Sequence, residues 1–429
     1  MSHSSHRRQF LKHLGILTAA PTILAARVCR GDNLPSNRIN IGVVGVGKQG
    51  AGLLRGFLHA PSTQVLAVCD VDRKKLARAQ QWTDDYYSEK HGASYKACLA
   101  TVDFRDIISR ENIDAVVLGT PDHWHAIPTI LAARAGMDIY CEKPLSLTIG
   151  EARMMVNEVR RNGRVFQTGS MQRSSDRFRH ACELVRNGYV GDIKHVRVSI
   201  RTGFIPHPID CDLAAESKPD ELEWDLWQGQ TPDRPYNAIL APPISFTGYP
   251  AWRNYRAYSG GGMTDWGAHH FDIAQWGLGM DKSGPVEIIP ASQSEYKLLT
   301  YRYKNGIVMT TDFEDNFIRF EGTKGSVTVN RSYLKTDPEN ILNQKIGPNE
   351  IHLYQSSDHR MDFLNAIRHR TKPITDVEIG ARSVTVCHLG NLAHQLNRPL
   401  KWNPQTEEFI GDEQANRLRF RAQRSPWMI

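Results

Sequence analysis

The feature that most narrows what this chain can fold into is a glycine pattern at the end of an apolar run. Residues Ile39-Asn40-Ile41-Gly42-Val43-Val44-Gly45 read as a short buried β-strand. The run leads directly into Gly45-Val46-Gly47-Lys48-Gln49-Gly50, after which Leu53, Leu54, Phe57 and Leu58 recur with helical spacing. In a strand–turn–helix unit, Gly45 permits the tight turn, Gly47 lets the backbone approach a pyrophosphate, and Gly50 lets the helix pack close to the strand. The turn, with Val46, Lys48 and Gln49, is thus a candidate phosphate cradle, because amide N–H groups at that helix start face the charge.

The context strengthens this reading. A second strand, Val65-Leu66-Ala67-Val68-Cys69, ends at Asp70, which lies 20 residues beyond Gly50. An acid there accepts hydrogen bonds from adenosine ribose hydroxyls and repels a 2′-phosphate, favouring NAD over NADP. Arg73 nearby weakens that preference and leaves NADP open. Further strands are read at 114–119 and 137–141, with a helix from about Ile127 to Ala135. Strand–helix alternation with short connections argues an α/β, doubly wound parallel sheet. The loops at its carboxyl edge, Gly45–Gly50, Thr120-Pro121-Asp122-His123-Trp124-His125 and Glu142-Lys143-Pro144, then gather around one ligand. His123 and His125 form an H-x-H pair, but with no carboxylate or Cys at ligand spacing they are placed in the cofactor pocket or the core, not on a metal.

Beyond Gln167 the alternation stops. Strands are read at 196–201, 286–289, 295–299, 306–311, 316–322 and 325–329, with helices at about 175–187, 262–278, 358–370 and 378–397. That pattern predicts an α+β domain on a mainly antiparallel, open sheet. Residues 203–260, rich in Pro, Gly and Trp, read as long ordered loops of the kind that line sites. The chain thus divides into an N-terminal segment 1–33, a nucleotide-binding domain 34–165 and an α+β domain 166–429.

The N-terminal segment reads as an address. Arg7-Arg8-Gln9-Phe10-Leu11-Lys12 followed by the apolar run Leu14 to Ala26 resembles a twin-arginine export signal, which moves folded proteins and predicts a periplasmic location. This segment also carries most of the surplus charge. Of the formal +7, residues 1–33 supply +4 through Arg7, Arg8, Lys12, Arg27 and Arg30 against Asp32, leaving +3 for the rest. A body so near neutral has no electrostatic footprint for nucleic acid. No apolar stretch approaches the roughly 20 residues of a membrane span. Seven scattered Cys without a CxxC pair suggest neither a disulfide framework nor structural zinc.

The densest cluster of chemistry is Gly260-Gly261-Gly262-Met263-Thr264-Asp265-Trp266-Gly267-Ala268-His269-His270-Phe271-Asp272. On an unbroken helix Asp265 and His269 stack on one face, with Asp272 and Trp276 on that face and His270 turned away. A His held by a carboxylate is a plausible general base. The same pair also fits a helix-stabilising contact or two ligands of an incomplete metal site. Five of the nine tryptophans (Trp224, Trp227, Trp252, Trp266 and Trp276) fall in one stretch. Their flat faces suit sugar rings, although packing the core is the plainer use for any one of them.

Together these pieces resemble the glucose–fructose oxidoreductase, inositol dehydrogenase and rhizopine-catabolism dehydrogenase family, Gfo/Idh/MocA. The resemblance rests on the GVGKQG turn, TPDHWH, CEKPL, the GGGMTDWGAHHFD helix, QTGSMQRSSDR at 167–177, DLWQGQTPDRPYN at 225–237 and the stretch from His359 to Trp427. It implies a Rossmann domain and a sheet domain closing over nicotinamide, and an NAD(P)-dependent oxidoreductase acting on a hydroxyl of a sugar, glycoside or cyclitol. Lys143 is implied to stabilise a developing alkoxide, Asp265 to position substrate and His269, and His269 to accept the hydroxyl proton. Glu142, Lys143 and Gln172 join the implied cofactor contacts. Some relatives place Tyr where this chain has His269. The Lys143–Pro144 bond is implied to be cis, and the open sheet to pair subunits into a dimer or tetramer. A periplasmic location has no free NAD(H) pool, so a redox-neutral glycosidase that oxidises, eliminates and returns the hydride is the first alternative. A non-catalytic nucleotide or sugar sensor is the second, although such relatives tend to lose the catalytic residues retained here.

Overall fold

Short runs of Val, Ile, Leu and Ala can only be strands if both faces are covered, and the first half of the chain meets that condition. The computed structural model describes residues 38–429 except Ala93, Thr202 and Phe204, so the twin-arginine segment lies outside the described residues. Six strands, β1 (Ile39–Val44), β2 (Thr63–Cys69), β3 (Leu99–Thr101), β4 (Ala115–Leu118), β5 (Asp138–Cys141) and β6 (Phe166–Thr168), form one sheet in the order β3-β2-β1-β4-β5-β6. Every pairing is parallel. β4 and β5 are buried along their whole length, as a sheet sandwiched by helices requires. Chain order reverses between β1 and β4, and the connections leaving their carboxyl ends diverge there, opening the crevice in which such sheets bind ligands. β6 lies past residue 165, so the parallel sheet extends one strand beyond the boundary read from the sequence.

The second sheet has nine strands: β7 (Ile193–Ser199), β8 (Glu287–Ile289), β9 (Leu299–Arg302), β10 (Val308–Asp312), β11 (Phe317–Gly322), β12 (Gly325–Val329), β13 (Leu334–Asp337), β14 (Leu400–Asn403) and β15 (Glu408–Phe409). Their order is β13-β12-β11-β7-β10-β9-β8-β14-β15, and only the β7–β10 pair is parallel. Val196, Val198, Ile318, Phe320, Val327 and Val329 alternate inward and join the helices Asp176–Arg186 and Gly267–Leu278 in one core. The strand expected at 295–299 begins only at Leu299. Before it, Ser294 Oγ takes the Tyr296 N–H and Lys297 adopts a left-handed conformation, so a local turn captures a segment whose alternation mimics a strand.

The C-terminal part of the chain returns to the first sheet. Phe363 and Leu364, on the helix His359–His369, are buried with Phe57 and Tyr140 of the nucleotide-binding half. The Phe363 ring stands edge-on at 6.3 Å to Phe57 and 5.8 Å to Tyr140. The helix Val377–Leu396 is shared too: Val377, Ala381 and Val384 pack against the parallel sheet, while Val386 and Leu389 enter the second core. Farther on, Trp427 packs against Phe104 and Trp124.

Candidate active site

A cavity of about 670 Å³ runs from the glycine turn to the helix Gly267–Leu278. At its first end the shape is set by backbone. Gly45 has φ +80°, a left-handed value, and a Cβ there would meet Thr120 N at 2.8 Å. A Cβ on Gly50 would fall on the Gly45 carbonyl oxygen, so neither glycine can carry a side chain. Gly47, by contrast, has open space where its Cβ would be and lines the cavity. Asp70 closes the turn: Oδ2 accepts the Val46 N–H at 2.8 Å and Oδ1 the Asp72 N–H at 2.9 Å. Burial raises the Asp70 carboxyl above its usual range, against the pull of Lys75 and those two N–H groups. Gly45, Gly47, Lys48, Gln49, Asp70, Thr120, Pro121, Glu142 and Lys143 all line the cavity. Arg73 is committed to Glu223 at 2.6 Å rather than waiting beside Asp70.

At the other end, side chains from three separated segments meet. Lys143 sits after β5, and the bond to Pro144 is cis. Its Nζ donates to Asp265 Oδ1 at 2.6 Å and to the Asp265 carbonyl at 2.9 Å. Arg253 Nε stands 3.4 Å from Asp265 Oδ2. Burial alone would raise the Asp265 carboxyl, but Lys143 and Arg253 outweigh it and hold the group below the usual carboxylate range. His269 is 5 % exposed and faces the same cavity. Burial, reinforced by Lys143 and Arg331, pushes its imidazole well below the ordinary value, and Nδ1 has no protein partner.

The geometry bears on several expectations. The helix expected over 262–278 is broken into Gly262–Asp265 and Gly267–Leu278. His269 N bonds Trp266 O, an i→i+3 turn, and the Asp265 carboxylate pairs with Lys143. His123 and His125 are buried away from the cavity. His123 Nε2 contacts Trp227 O at 2.9 Å, while His125 lies between two carbonyls, Nδ1 2.7 Å from Pro144 O and Nε2 3.0 Å from Thr120 O, and donates its one N–H to one of them. Burial takes both imidazoles down to about 4, and their work is to brace the loops. Gln172 does not face the cofactor cradle either: its Nε2 donates to His269 O at 3.2 Å and its Oε1 accepts from Arg331 Nε at 3.0 Å. Val46 and Gly50 shape the turn from within without lining the cavity, and Asp272 is spent on a buried pair with Arg173 at 2.9 Å.

The loops of 203–260 do line the cavity, through Leu222, Trp227, Tyr249, Trp252 and Arg253 among others. Of the five tryptophans, Trp227, Trp252 and Trp266 reach it. Trp224 stacks behind Trp227 at 4.8 Å, and Trp276 lies in the core beneath Arg173. Sequence reading passed over Asp122, Arg201, Arg253, Arg331 and Trp427, all of which line the cavity. Asp122 was within reach, since it sits inside TPDHWH. Its Oδ2 accepts from Ser259 Oγ at 2.7 Å, and burial pushes the carboxyl up to about 7.

Comparison with known proteins matches both halves. Residues 39–170 match the Gfo/Idh/MocA model for the oxidoreductase family's NAD-binding Rossmann fold, and residues 176–429 the model for its C-terminal alpha/beta domain. An uncharacterized oxidoreductase of Streptococcus pneumoniae is 28% identical over 155 residues, 36% of this chain and 38% of that protein. A glycosyl hydrolase family 109 protein of Shewanella baltica is 27% identical over 214 residues, 45% of each chain. The chain thus spans less than half the length of these curated relatives. The fold is shared with an aldose–aldose oxidoreductase from Caulobacter crescentus, crystallised with glycerol, at TM-score 0.56 and 19% identity, over 85% of this chain and 99% of that one.

Proposed function

The chain belongs to the Gfo/Idh/MocA oxidoreductase family, and from that premise we propose that it oxidises a hydroxyl of a sugar, glycoside or cyclitol, using NAD held along the cavity. The residues fit that cofactor: the glycine turn at Gly45, Gly47 and Gly50 leaves room for a pyrophosphate, and the Asp70 carboxylate at the end of β2 would meet an adenosine ribose and disfavour a 2′-phosphate. When bound, the nicotinamide supplies the hydride acceptor.

The observation that carries the reading is the grouping of Lys143, Asp265 and His269 on one wall of the cavity. An ammonium has three donors, and Asp265 takes two, leaving the third for a substrate oxygen. As the hydride leaves the substrate carbon, negative charge builds on that oxygen, and a fixed cation in a partly dry site lowers the cost. Burial holds His269 neutral and its side chain lines the cavity beside Lys143, so the imidazole can take the hydroxyl proton in step, leaving a carbonyl. Asp265 keeps Lys143 aimed.

The test is to denature the purified protein, quantify the nucleotide released, and then follow nicotinamide absorbance while presenting sugars, glycosides and cyclitols. Near one nucleotide per chain with hydride transfer to or from a carbohydrate is expected. Turnover that persists in Lys143→Ala overturns the assignment.

The family 109 glycosyl hydrolase among the relatives favours a second reading in which the chemistry is redox-neutral. Transient oxidation of a ring hydroxyl acidifies the neighbouring C–H, the glycosidic group is eliminated, water adds, and the hydride returns. The Arg7-Arg8 segment, read as a signal for export after folding, supports this version, because a nucleotide loaded before export must be restored in place. Release of free sugar from a glycoside without net NADH distinguishes it.

A further inference from the structure

The two ends of the cavity differ in how their charges are answered. Near the reacting groups, Asp265 is shared by Lys143 and Arg253. Two further arginines, Arg201 and Arg331, line the same end, and neither forms an ion pair with a carboxylate among the described residues. Both stand over the ring of Trp266, with the guanidinium carbons 5.6 and 4.5 Å from its centroid. Trp266 is held in turn by its Nε1–H to Asn316 Oδ1 at 2.7 Å.

Arg331 is also held at a fixed place relative to the base. Its Nε–H donates to Gln172 Oε1 at 3.0 Å, and Gln172 Nε2 donates to the His269 carbonyl at 3.2 Å. Gln172 itself is 3 % exposed, so this link is rigid. With Nε engaged, the two terminal NH2 groups of Arg331 have no protein acceptor among the described residues, and they form the flat two-pronged donor that suits carboxylates and phosphates. Burial lowers the Arg331 guanidinium from its ordinary value and Arg201 adds to the shift, as unanswered positive charge should.

We propose that the carbohydrate this site takes carries an acid group, a carboxylate or a phosphate, which Arg331 and Arg201 receive beside Trp266 while the hydroxyl to be oxidised faces Lys143 and His269. The proposal rests on the function argued above and narrows its substrate class. Trp266 separates base from guanidinium, with its ring 5.8 Å from that of His269, so one pyranose with an exocyclic acid can reach both.

Calorimetric titration of the protein as purified, with its nucleotide, tests this in matched pairs: glucose with glucuronate, galactose with galacturonate, glucose with glucose 6-phosphate, and myo-inositol with its 1-phosphate. In at least one pair the acid should bind about tenfold tighter or more, and the advantage should shrink as KCl is added. Arg331→Gln should remove the preference and Arg331→Lys restore part of it. Whether the uronates or the phosphates lead identifies the acid. The proposal is overturned if the acid binds no tighter in every pair, or if the preference survives in Arg331→Gln combined with Arg201→Gln. Hydride transfer to neutral sugars without an acid preference ends this inference and leaves the proposed function standing. A tight acid that never exchanges a hydride does the reverse.

Discussion

The nucleotide end and the substrate end of the cavity are built on different principles. The first is a backbone surface: glycines that cannot bear a Cβ, amide groups at a helix start, and one carboxylate closing the turn. The second is an assembly of side chains from 143, 201, 253, 265, 269 and 331, brought together by two sheets and braced by buried contacts. A backbone site tolerates changes that leave the turn intact and fails when the turn is filled. A side-chain site fails one function at a time.

Removing single groups breaks this contrast or sharpens it. The largest effect belongs to Lys143→Ala, where hydride transfer should fall about a thousandfold or more while the nucleotide stays bound; absorbance kinetics beside nucleotide quantification checks both halves. Gly50→Ala should do the converse at the other end. Its Cβ displaces the Gly45 carbonyl, so NAD affinity should drop about a hundredfold and thermal stability with it, measured by titration and calorimetry. A smaller change is expected from Asp70→Asn, which removes the charge that repels a 2′-phosphate and should shift the NAD-to-NADP affinity ratio about tenfold toward NADP.

A separate effect, on stability rather than on binding or turnover, concerns pH. Asp122 has its carboxyl raised to about 7 in the fold against roughly 3.9 in an unfolded chain. The folded state therefore binds the extra proton between those values, so the contribution is complete below about 4 and is lost as pH rises toward 7. Over that window Asp122→Asn should flatten the decline in stability by roughly 4 kcal/mol at most. Chemical denaturation at pH 4.5 and 7.5 reads it directly, and equal slopes for both proteins would show that Asp122 is ionised throughout.

The contrast also explains what could be read beforehand. The parallel sheet was legible because fully buried strands must be short apolar runs, and the glycine turn because its geometry admits so few residues. Asp265 and His269 could be picked out by their helical spacing, and Lys143 joined them only through the family resemblance. The Lys143–Asp265 pairing could not be read, because the two residues lie 122 positions apart and only the fold brings them together. Arg331 lies on a polar link after β12, where an arginine is ordinary; only the fold sets it over Trp266. His123 and His125 could be assigned either to the pocket or to the core, and the core role is the one the fold gives them: histidines beside a site are as useful for bracing carbonyls as for touching ligands.

The return of the helix His359–His369 to the first sheet has a consequence in time. Phe57 and the ring that covers it, Phe363, are about 300 residues apart in the chain. At a synthesis rate of roughly 5–20 residues per second, the ribosome takes on the order of 15 to 60 s to deliver that cover. Throughout that interval the nascent Rossmann half presents an aromatic face around Phe57 and Tyr140 with nothing of its own to lay over it. That face is a binding opportunity for a holding chaperone, and it closes only when the last quarter of the polypeptide has emerged.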